Sequence, residues 1–69
     1  MTPEEATEII KQRFDIGDCL FTEGHNGMTL GIDLPSRNVR IDIDKYLLKS
    51  PEDLIHYFNR HWIKTEVQS

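Results

Sequence analysis

The sequence of 69 residues has a single cysteine, Cys19, so it can form no internal disulfide and no thiolate-based structural zinc site. The disulfide-stapled secreted class and the zinc-finger class are excluded together. No apolar run approaches the roughly 18 residues that a membrane span needs, and no basic start leads into an apolar stretch as in a signal peptide. The expectation is cytoplasmic residence with no membrane contact. A basic stripe is also lacking, since 8 Lys and Arg stand against 12 Asp and Glu for a net charge of −4. A protein that grips phosphates needs clustered cations to displace counterions. P-loop, dinucleotide fingerprint and nucleophile elbow are all missing.

What is present suits one small soluble domain over residues 1–69, with 66–69 expected as a frayed tail. The apolar share of 38% supplies one core, and the charged share of 29% is spread too evenly for a disordered chain. Residues 1–17 carry −2, residues 18–44 carry −3 and residues 45–69 carry +1, so the middle is the acidic part.

A helix is expected from Pro3 to about Phe14. Thr2 is the N-cap, Pro3 fits the first helical position, and Glu5 completes a capping box. Ala6, Ile10 and Phe14 recur every four residues with Ile9 beside them, and the stem of Arg13 is expected to lie on the core at the edge of this stripe. Gly17 marks the exit. From Asp18 the period becomes two. Met28, Leu30, Ile32 and Leu34 alternate with polar positions, as do Val39, Ile41 and Ile43, which predicts two half-buried antiparallel strands. Cys19–Glu23 reads as a third strand, joined through the turn Gly24-His25-Asn26-Gly27, and Pro35-Ser36-Arg37-Asn38 supplies the next turn. Tyr46-Leu47-Leu48 reads as a short helical turn closing one end of the core. Ser50 caps a second helix with Pro51 first and Glu52 and Asp53 in the first turn; Leu54, Ile55, Phe58 and Trp62 form its apolar arc, with His61 at the rim.

The fold class is therefore α+β: a three-stranded antiparallel meander with two helices on one face, in the order αβββα. With four-residue loops, Leu34 faces Val39, Asp33 faces Arg40, Gly31 faces Asp42 and Thr29 faces Asp44; Glu23 faces Met28, Phe21 faces Leu30 and Cys19 faces Ile32. The apolar face is then Cys19, Phe21, Met28, Leu30, Ile32, Leu34, Val39, Ile41 and Ile43. The open face holds Leu20, Thr22, Thr29, Gly31, Asp33, Arg40, Asp42 and Asp44.

Each chemical motif has a plainer explanation. Asp33, Asp42 and Asp44 share the open face, but side chains on a flat sheet diverge where a hard cation needs convergent oxygens, and Arg40 neutralises Asp33. His56 and His61 are five apart, about 140° around a helix, so they share no ligand; His25 belongs to a turn. Cys19 with His61 imitates a thiolate and its base, yet a lone cysteine in a strand is expected to be a small buried hydrophobe. Neither catalytic residue, cofactor nor metal is expected.

The element order α, β, β, β, α resembles the double-stranded RNA-binding domain, in topology and not in motif. In that family the start of the second helix carries a lysine cluster that straddles phosphates. Here the matching stretch is Ser50-Pro51-Glu52-Asp53, which reverses the charge and repels RNA. Lys45, Lys49, Arg60 and Lys64 form only a scattered basic rim. Surface remains: Leu20 opposite Gly31 as a shallow notch, flanked by Thr22 and Thr29, beside Asp33, Arg40, Asp42 and Asp44. This plate suits a basic partner. The functional expectation is a complete small intracellular protein, without catalysis, that binds a larger protein or protein–nucleic-acid complex with a basic surface. Mobile-element inhibitors of host defence, including anti-CRISPR proteins, fit that description. A homodimer is compatible with it, and the alternative is a nucleic-acid-binding module of the double-stranded-RNA-binding kind.

Overall fold

A computed structural model of the chain describes residues 1–68, with side chains through Lys64. The tail expected to fray, 66–69, lies outside the residues described with side chains. The element order is αβββα, interrupted by two short 3-10 turns.

Helix α1 spans Pro3–Arg13, and its start is built as the sequence implies: the Thr2 hydroxyl oxygen accepts from the Glu5 N–H at 3.2 Å, with Pro3 following. Ala6 and Ile10 are fully buried, and Phe14, in extended backbone just past the helix, is half-buried. Arg13 stands exposed instead of lying on the core, because Phe14 takes the space against Phe58 and Trp62, with ring centroids 4.9 and 5.5 Å away. Gly17 adopts φ +71° on the way out, a conformation that glycine takes at no steric cost.

Strands β2 (Thr29–Leu34) and β3 (Val39–Asp44) pair antiparallel in the expected register, Leu34 with Val39, Asp33 with Arg40, Gly31 with Asp42 and Thr29 with Asp44. Their connection is a 3-10 turn, Pro35–Arg37, closed by Asn38 in the left-handed region at φ 53°. A side-chain amide makes that conformation accessible to asparagine.

The first strand departs from expectation. β1 is only Thr22–Glu23, and it pairs Thr22 with Gly31 and Glu23 with Leu30, two residues out of the register expected for it. The connection to β2 is longer than a four-residue loop, with the Gly24 N–H bonding to the Thr29 carbonyl at 2.8 Å. Met28 therefore falls outside β2 and is 67% exposed instead of joining the core. Residues 19–21 lie outside β1, and the Phe21 N–H, turned away from β2, donates to the Thr7 hydroxyl of α1 at 2.9 Å. A two-residue slip keeps each side chain on its original face, so Phe21 is still buried.

After β3, the turn Lys45–Leu47 leads to the buried Leu48, closing one end of the core. Helix α2, Pro51–Gln68, begins with a reciprocal cap: the Asp53 N–H donates to the Ser50 hydroxyl at 3.3 Å, while the Asp53 carboxylate accepts from the Lys49 N–H at 3.2 Å. Leu54 and Phe58 are fully buried, Ile55 and Trp62 half-buried, and His61 exposed. Both helices pack on one face of the sheet, where Ala6, Ile10, Leu54 and Phe58 share a core with Phe21, Leu30, Ile32, Leu34, Ile41 and Ile43. Cys19 and Val39 are only partly buried against it.

Candidate interaction surface

The face of the sheet turned away from the helices is left uncovered. Strand alternation puts Thr29, Gly31 and Asp33 of β2 there with Arg40, Asp42 and Asp44 of β3. Asp33, Arg40, Asp42 and Asp44 are all exposed. Arg40 lies across the two strands: its Nη1 donates to Asp33 Oδ2 at 2.9 Å, and its Nε is 3.2 Å from each carboxylate oxygen of Asp42. Hydrogen bonds donated to Asp33 first, and then to Asp42, raise the guanidinium above its already high ordinary pKa, so Arg40 stays charged at any working pH.

Gly31 makes this arrangement possible. A Cβ there would overlap Asp42 Oδ1 and lie 2.7 Å from Arg40 Nη2, so the bare glycine is the floor on which the ion pair rests. Asp44 makes no ion pair among the described residues, and it supplies the face's unshared negative charge.

Thr22, exposed, and Thr29, half-buried, flank this row as expected. Leu20 does not belong to it. With residues 19–21 drawn toward α1, Thr22 occupies the place opposite Gly31, and the side chain of Leu20, 64% exposed, instead lines a groove of about 450 Å³ against Pro3, Glu8 and Lys11 of α1. The apolar notch expected in the middle of the open face is thus replaced by an ion pair over glycine.

Other candidate chemistry stays dispersed. Cys19 borders a separate hollow with Asp15, Gly17, Pro35 and Ser36, and His61 is not among the residues that line it. His25 is exposed in its loop, and His56 lies edge-on to Tyr57 at 5.1 Å. Among the described residues, no group of three or more His, Cys, Asp or Glu is placed to hold a metal ion, and no helix is long and apolar enough to cross a membrane. A cation on the aspartate row would have to displace Arg40.

Three contacts escape sequence reasoning. The Thr7 bridge had a signal, a hydroxyl on the same helical face as Ala6 and Ile10. Lys45 donates to Glu23 at 2.7 Å across the loop end of the sheet. Arg37, in the β2–β3 turn, lies 3.4 Å over the Trp62 ring and donates to the Trp62 carbonyl at 3.0 Å; a separation of 25 residues gives no local pattern to read.

The chain matches no protein-family model, no curated protein and no solved structure.

Proposed function

We propose that this chain is a small interaction protein without catalytic activity, whose open sheet face docks on the basic surface of a larger protein or protein–nucleic-acid complex. In its sharper form the reading is an inhibitor that occupies a basic nucleic-acid-binding surface, in the manner of mobile-element anti-defence proteins such as the anti-CRISPR type. The supporting observation is that the helices cover only one side of the sheet, leaving three carboxylates and one guanidinium on the other, a net charge of −2. Complementary potential speeds encounter and rejects like-charged surfaces.

Affinity capture from the native host, run in parallel with the wild-type chain and with Asp42→Lys/Asp44→Lys, tests this reading. Both side chains point away from the core, so the double variant keeps the wild-type denaturation midpoint. A partner with a basic surface is expected on the wild type and lost from the variant. Retention of the same partner by the variant would retire the acidic-face reading. An RNA-binding module gives the opposite pattern: a gel shift on double-stranded RNA that is lost on changing Arg60 and Lys64 and is indifferent to the aspartates.

A further inference from the structure

Backbone direction in β3 follows from one bond. The Lys45 N–H donates to the Met28 carbonyl at 2.8 Å, and in an antiparallel ladder bonded pairs recur every second residue. Val39, Ile41 and Ile43, opposite Leu34, Ile32 and Leu30, therefore turn their N–H and C=O groups inward to β2. Arg40, Asp42 and Asp44 turn theirs outward. The sheet order β1-β2-β3 makes β3 an edge, so the outward N–H and C=O groups of Arg40 and Asp42 and the N–H of Asp44 have no strand beside them, while the Asp44 carbonyl opens the 3-10 turn Lys45–Leu47.

Edge strands are commonly blunted by brevity, proline, lysine or a bulge. β1, with two residues, is blunted by brevity. β3 has six residues paired one to one with β2, without proline, lysine or bulge, and only its charges guard it. Those charges select as well as exclude. Asp42 and Asp44 are two residues apart, about 7 Å along a strand, which is the spacing of same-face side chains on any added strand. A neutral or acidic strand laid there leaves Asp44 half-desolvated beside no cation, whereas a basic one supplies it.

We propose that the outer edge of β3 takes up an extended basic segment of the partner as a fourth strand, its backbone pairing with Arg40, Asp42 and Asp44 and its Lys or Arg side chains, at alternate positions, facing Asp42 and Asp44. This rests on the docking reading above and states how the basic partner is held. Main-chain bonds give such an added strand its affinity and the alternate side chains its specificity. A second copy of the chain is the weaker occupant. Antiparallel pairing along the whole edge sets Arg40 against Asp44 but Asp42 against its own counterpart, between two chains that each carry −4.

The probe is a capped hexapeptide alternating lysine and valine, with a glutamate–valine peptide as control, and the readout is amide hydrogen exchange by NMR on the full chain. Free protein should exchange the Arg40, Asp42 and Asp44 amides quickly, and saturation with the lysine peptide should slow them about tenfold or more while the Ile41 and Ile43 amides, already bonded, change little. Salt-sensitive binding without protection of the three amides would overturn the fourth-strand inference and leave face docking standing. No binding of the lysine peptide, or equal protection by the glutamate peptide, would overturn it as well. Protection that arises with protein concentration alone would assign the edge to a second copy. The docking reading fails separately, through captured partner that ignores the aspartate reversal.

Discussion

At the scale of single residues, Thr7 decides more than the charges do. Its hydroxyl donates to the Pro3 carbonyl at 2.8 Å and accepts from the buried Phe21 N–H, and Thr7 is itself only 7% exposed. A buried donor left without an acceptor costs about 1–3 kcal/mol, because its hydration is lost and nothing replaces it. Thr7→Val keeps the shape and removes the acceptor, so a loss of that size is expected in denaturant melts. Thr7→Ser keeps the hydroxyl and gives up one methyl, for about 0.8 kcal/mol. Equal losses for the two variants would show that packing, and not the hydrogen bond, ties α1 to the segment that precedes β1. Arg40 is the contrast. Exposed ion pairs add little stability, so its consequence is where the charge sits on the open face and not how firmly the fold holds.

At the scale of elements, legibility followed the range of the interactions involved. The β2–β3 register was readable because each determinant is local: a four-residue turn with Asn38 at its left-handed position, strict alternation on both sides, and Asp33 facing Arg40. Both helix starts were readable for the same reason, since Thr2 and Ser50 cap residues only three positions on. β1 was not, because the segment leading into it is fastened through the Phe21 N–H to the hydroxyl of Thr7, 14 residues away on another element. Leu20 lies in that same segment, beside α1 and off the candidate face. The tether between the β2–β3 turn and α2 was hidden likewise, and it yields a test. A partly desolvated cation–π pair contributes about 0.5–2 kcal/mol. A double-mutant cycle of Arg37→Ala with Trp62→Leu should return a coupling energy in that range, because the leucine removes the ring while the Trp62 carbonyl bond to Arg37 survives as backbone. Coupling near zero would mean that the Trp62 ring takes no part in holding the turn to α2.

At the scale of the whole molecule, a net charge of −4 on a small chain raises the question of whether a basic partner feels the protein at large or the open face in particular. Screening separates the two. At physiological ionic strength exposed charges act over about 8–10 Å, so carboxylates on the far helices steer a partner approaching the sheet only weakly. Asp42→Asn/Asp44→Asn and Glu4→Gln/Glu8→Gln both bring the net charge from −4 to −2, the first pair on the face and the second on exposed positions of α1. Surface plasmon resonance against the captured partner, repeated across salt, should show the face pair lowering the association rate several-fold at low salt and flattening its dependence on salt. The dissociation rate should respond less to salt, because steering acts on encounter. The helix pair should leave the association rate close to wild type. Equal effects from the two pairs would make net charge the determinant and would remove the open face from the account of recognition.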